Sequence, residues 1–169
     1  MSFLNFFTAS TEQEIAKYSK LHYALEKEYP KIGEKNLVIA ACIAGLLARV
    51  AYVDFDLDPG ELEQIKTSLT DWEFNKEIQS DIVAAIAIEH IKEMAGLENH
   101  LYAHPLREHL TQDERFKVLQ SLFLVAASDG SVDGVESEEI RVIAKGLELS
   151  NQHFIVARAE VAKYLRALM

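Results

Sequence analysis

From residue 11 onward, apolar residues recur at intervals of three and four in long stretches that only three prolines and seven glycines interrupt. That is the spacing of helices, not the alternation of strands. Thr11 to about Tyr29 predicts a first amphipathic helix, with Ile15, Tyr18, Leu21, His22 and Leu25 near one face, stopped by Pro30 and Gly33. A second, from about Lys35 to Val53, is apolar nearly all round and belongs in the middle of a bundle. Asp58-Pro59-Gly60-Glu61 opens a third, with an N-cap Asp, Pro at the first helical position and Glu at the third, running to about Thr70. A fourth is expected over Asn75 to Ala95, and a short helical piece opens at His104-Pro105 and runs to His109. Thr111-Gln112-Asp113-Glu114 is a capping box leading into the apolar run Phe116 to Ala127. Asp133 to Glu136 starts a helix to about Leu147, and Ser150 caps the last one.

The pattern repeats itself. Asp54-Phe55-Asp56-Leu57-Asp58-Pro59-Gly60-Glu61 returns as Asp129-Gly130-Ser131-Val132-Asp133-Gly134-Val135-Glu136, 75 positions later, and the register extends to Leu47 with Leu122, Val50 with Val125, Ala51 with Ala126 and Ile65 with Ile140. The expected architecture is an all-α bundle of about seven to eight helices built from two pseudo-symmetric three-helix repeats. It divides into an N-terminal arm and helix (1–34), a first repeat (35–97), a connector (98–110) and a second repeat (111–169).

Composition narrows the partners. The 169 residues, 49% of them hydrophobic, suffice for one core. With 27 acidic against 17 basic residues, the net charge of −10 repels a phosphate backbone and excludes nucleic acid as the expected partner. Cys42 is the only cysteine and lies in an apolar run, so a reducing cytoplasm is the simplest setting. The apolar start, Met1 to Phe7, lacks the basic region of a signal peptide and reads as an arm that docks on the body, a partner or a membrane surface. Leu37 to Val53 is 17 residues long, at the lower limit for a membrane span, but its counterpart Val118 to Ala127 is shorter and carries Gln120 and Ser121; a buried central helix is the better reading.

The acidic loops carry the candidate chemistry. Asp54, Asp58 and Glu61, and again Asp129, Asp133 and Glu136, offer the oxygen ligands that hard cations such as calcium or magnesium prefer, with Asp56 and Ser131 nearby. Neither loop is an EF-hand: the twelfth position, which needs a bidentate Glu, is Ile65 in one and Ile140 in the other. Helix capping explains Asp58 with Glu61 and Asp133 with Glu136 without any metal. It leaves Asp54 and Asp129 at the C-terminal end of a helix, where the dipole disfavours negative charge. A main-chain turn, a basic neighbour or a cation must compensate them.

The stretch Val125-Ala126-Ala127-Ser128-Asp129-Gly130-Ser131-Val132-Asp133 with Glu136, continued by Leu147 to Phe154, resembles the TerB-like tellurite-resistance family, whose hallmark is Val-Ala-x-x-Asp-Gly-x-aliphatic-Asp-x-x-Glu. Val50-Ala51-Tyr52-Val53-Asp54 with Leu57 to Glu61 is similar, with Phe55 in place of the glycine. The resemblance implies a compact all-helical fold of two pseudo-symmetric repeats, bacterial proteins linked to tellurite resistance and stress, and a metal-linked role for Asp54, Asp58, Glu61, Asp129, Asp133 and Glu136. It carries no firm biochemical activity.

Weaker signals add little. His100 and His104 have the spacing of a helical zinc pair, but Pro105 argues against a regular turn there. No phosphate loop, activated cysteine or nucleophile elbow points to an enzyme. Trp72, Phe74 and Tyr52 read as core or repeat-contact residues. The expectation is therefore a cytoplasmic, non-enzymatic module of metal or oxyanion stress response that binds a protein partner, with a second copy of the chain and a membrane surface as further candidates. The rival is a constitutive helical scaffold or adaptor that binds a protein partner or a membrane surface and whose acidic loops serve only as helix caps.

Overall fold

An 18-residue helix, α2 (Glu34–Ala51), is the axis of the molecule, because its sequence leaves it almost no polar face. Leu37, Val38, Ala40 to Ala48, Val50 and Ala51 are all buried, and each fully buried large aliphatic chain contributes about 1.5–3 kcal/mol. The computed structural model describes residues 20–72, 78–90 and 99–168. Among them are eight α-helices and no strand: α1 (Lys20–Glu28), α2, α3 (Pro59–Thr70), α4 (Ser80–Glu89), α5 (Asn99–His109), α6 (Gln112–Ala126), α7 (Gly134–Gly146) and α8 (Asn151–Leu168), with one 3-10 turn (Ala127–Asp129) after α6. The all-α expectation holds. Helix α2 touches α1, α3, α4, α5, α6 and α7, while α8 packs on α6.

Tyr102 of α5 packs over Gly45 of the axis. A Cβ on Gly45 would stand 2.7 Å from its ring, so only glycine admits the aromatic there. Burial pushes the Cys42 thiol up to about 12, and raises the Tyr102 hydroxyl as well. A thiol held protonated in this way packs as an apolar group. Arg49, the one charge in the apolar run, reaches Glu139 of α7 at 2.9 Å, and Asn99 of α5 donates to the same carboxylate oxygen at 2.8 Å. Three helices are tied at that point.

Capping follows the sequence closely. Asp58, Thr111 and Asp133 each form a complete capping box with the Glu three residues on. Ser150 accepts from the His153 amide, and the His153 ring reaches back to the Ser150 amide, so a histidine fills the place a glutamate takes in the other caps.

Two expectations are corrected. Helix α4 begins at Ser80, not Asn75: Gln79 is extended, its N–H donates to the Tyr29 hydroxyl, and Ile78 is buried before the helix starts. Residues 91–95 lie outside the described residues, as do Phe74 and the chain before Lys20. Pro105 does not open a helix; it sits inside α5. It forfeits one main-chain bond there, but the helix buries Tyr102, Ala103 and Leu106 against the core, and that burial outweighs the loss. The segment expected to be a connector is thus mostly helix.

Candidate functional site

Each acidic loop is built by side chains folding back on their own main chain. In the first, the Phe55 N–H donates to the Tyr52 carbonyl at 3.1 Å, the Asp56 N–H to Asp54 Oδ1 at 3.0 Å, the Gly60 N–H to Asp58 Oδ1 at 2.7 Å and the Asp58 N–H to Glu61 Oε2 at 2.8 Å. In the second, the Gly130 N–H donates to the Ala127 carbonyl at 2.9 Å, the Ser131 N–H to Asp129 Oδ1 at 3.0 Å, the Glu136 N–H to Asp133 Oδ1 at 2.8 Å and the Asp133 N–H to Glu136 Oε2 at 2.8 Å. Leu57 and Val132, at matching places, pin both loops to the core. The two acids that capping left over, Asp54 and Asp129, are compensated by main-chain turns.

The loops meet at one end of the bundle. Helix α3, which follows the first loop, packs on the 3-10 turn that precedes the second. A Cβ on Gly60 would stand 3.7 Å from the Ser128 carbonyl oxygen. The Ser128 hydroxyl is buried there without a hydrogen-bond partner. Glu61 is 9% exposed and Glu136 half-buried.

That convergence shows in the electrostatics. Burial drives the Glu61 carboxyl up to about 7, and the charges of Asp54, Glu136 and Asp58 push the same way, against the Asp58 amide bond that lowers it. Glu136 is also raised to about 7, by burial first, then by Asp133, Asp129 and Asp54, against its bond from the Asp133 amide. Asp54 therefore bears on carboxyls of both loops. Among the described residues, the charges that raise this pair are all acidic.

As a metal centre the arrangement is unready. Among the described residues no three His, Cys, Asp or Glu side chains stand together so as to hold an ion. One oxygen of each of the six candidate acids, Asp54, Asp58, Glu61, Asp129, Asp133 and Glu136, is already taken by an amide. His104 lies within the regular helix α5, so Pro105 does not keep it out of a helical turn with His100. No described helix is long and apolar enough to cross a membrane.

Sequence reasoning named all six acids but missed their meeting across the two loops, which is a tertiary fact. It also missed the Arg49–Glu139–Asn99 tie, for which the lone charge in the apolar run was the available signal. Tyr52 is half-buried beside Phe55, and Trp72 is half-buried under Lys117 of α6, whose ammonium sits 5.2 Å from the ring centroid.

A family model described as Tellurite resistance protein TerB matches residues 40–159, a span that runs from within α2 into α8 and contains both acidic loops. No curated relative and no solved structure matches the chain.

Proposed function

The chain belongs to the family of the tellurite resistance protein TerB, and from that premise we propose that it is a non-enzymatic, cytoplasmic interaction module of tellurite or metal stress response whose acidic corner takes a divalent cation, calcium or magnesium, as a weak ligand. One observation carries the reading: α3, which follows the first loop, packs on the 3-10 turn that leads into the second, so two loops far apart in sequence bring their acids to one end of the bundle. Such a surface attracts cations and cationic partners. Tellurite is an oxyanion, and an acidic corner is a poor direct site for it. The similar construction of the two loops supports a duplicated unit as the origin of the corner.

Each acid keeps one carboxylate oxygen for a cation, but among the described residues no three such groups stand together, so its affinity is expected in the millimolar range. The rival reading, a constitutive scaffold, is favoured by the completeness of those amide bonds. Calcium and magnesium titration separates the two, with calorimetry and thermal melting of the protein beside an Asp129→Asn, Asp133→Asn double variant. A ligand of the native state must raise its melting temperature. The cation reading expects that rise in the native protein and its loss in the variant. Identical flat responses up to about 10 mM would hand the corner to the scaffold reading.

A further inference from the structure

Phe55 is the most exposed large apolar side chain among the described residues, at 78%, and its backbone is left-handed, with φ of 65°. Neither property serves the fold. The equivalent place in the second loop is Gly130, φ 103°, which adopts positive φ freely. The other described non-glycine residue at positive φ, Glu148, closes the end of α7 and forms ion pairs with Arg107 and Arg115. The Phe55 ring makes an edge contact with Tyr52, with ring centroids 5.8 Å apart. A bulky side chain held at positive φ is an outlier, and such outliers cluster at functional sites.

Its surroundings state the chemistry of the occupant. Exposed Asp54, Asp56 and Asp58 frame it, and no lysine or arginine occurs in residues 50–65 or 118–140. Val135, 58% exposed, lies in the first turn of α7 beside Glu136, and α3, which follows the Phe55 loop, packs on the 3-10 turn that leads into that second loop. Two exposed apolar groups therefore share one acidic end of the bundle. A second copy of the chain, also at −10, would be repelled from this end, and an anionic membrane leaflet likewise.

We infer that Phe55, framed by Asp54, Asp56 and Asp58 and joined by Val135, anchors a docking surface for a basic segment of a partner protein. An arginine or lysine of that segment lies across the Phe55 ring, where a cation is attracted to the aromatic face, and its charge is met by the surrounding carboxylates. Apolar residues between the basic ones cover Val135. This deepens the interaction-module reading and rests on it.

The test uses the full chain, a fluorescein-labelled peptide of four Arg-Leu pairs, and a Glu-Leu control, read by anisotropy at low and physiological salt. The native protein is expected to bind the basic peptide, more weakly as salt rises, and not the acidic one. Phe55→Gly is expected to weaken binding about fivefold or more, and Asp56→Asn about threefold. Phe55→Gly supplies the residue the second loop already uses, so it should melt no lower than the native protein. Equal binding by Phe55→Gly, no binding of the basic peptide, self-association that depends on Phe55, or Phe55-dependent binding to zwitterionic vesicles would each overturn the proposal. Because Phe55→Gly leaves every carboxylate in place, its response to calcium reports on the acidic corner separately. A missing peptide complex with an intact calcium response sinks the docking surface alone.

Discussion

The loop from Asp54 to Glu61 and the loop from Asp129 to Glu136 make the same turn with different residues. Both close with a main-chain bond over three residues, both fold an Asp back on the amide two places on, and both finish in a complete capping box. Yet the second turns on Gly130 and enters its helix through Gly134 and Val135, whereas the first turns on Phe55 and enters through Pro59 and Gly60. The acids set the shape of the corner, and the glycines set only its strain. Charge differs as well: Asp54 of the first loop acts on Glu61 and on half-buried Glu136, while Asp129 of the second acts on Glu136.

The largest expected effect tests that shared charge. Glu61 and Glu136 have folded values of about 7 against an ordinary 4.5. The folded state therefore holds protons that the unfolded state has released across this window. Stability is fully present below about pH 4.5 and falls as pH rises through 7, by about 3 kcal/mol for each carboxyl taken alone by pH 8. Urea unfolding at pH 5, 6, 7 and 8 reads it, and the Glu61→Gln, Glu136→Gln double variant should flatten the slope. Carboxyl titration by NMR sharpens the comparison. Asp54→Asn should bring both glutamates down, and Asp129→Asn chiefly Glu136. Equal effects from the two substitutions would make the loops electrostatically alike.

Next in size is an exchange of the residues that open the helices. Gly60→Val places a Cβ 2.9 Å from Asp58 Oδ1 and into the seam beside Ser128, displacing the cap, at a cost of about 2 kcal/mol. Val135→Gly, at an exposed position, should cost under about 1 kcal/mol, from helix propensity alone. Equal losses in urea unfolding would mean that the first loop is no more tightly seated than the second.

What could be read from the chain follows the range of the forces involved. The capping boxes at Asp58, Thr111 and Asp133 and the central place of α2 were legible, because a cap is decided within four residues and an all-apolar helix has nowhere to go but inside. The helical place of Pro105 and the late start of α4 were not. The burial of Tyr102 and Leu106, and the docking of Gln79 on Tyr29, are contacts with distant parts of the chain that override local signals. The six acids were legible as residues. Their common field, and the rise of Glu61 and Glu136 that follows from it, needed the two loops side by side.

The smallest effect concerns the tip residue, where the loops differ most. A side chain in the left-handed region costs about 1–2 kcal/mol, which Phe55→Gly relieves. The glycine gives back about 0.5–1 kcal/mol through the freedom it adds to the unfolded chain. The edge contact with Tyr52 offsets a little more, so the net gain is about 0.5 kcal/mol. The reciprocal change, Gly130→Ala, finds nothing within 4 Å of the new Cβ, so its cost is backbone strain alone, about 1 kcal/mol. Chemical denaturation of both variants at pH 6 reads the pair together. If Phe55→Gly instead lost more than about 1 kcal/mol, the ring would be bracing the loop through Tyr52. Phe55 would then be part of the fold, and its exposure would no longer point to a partner.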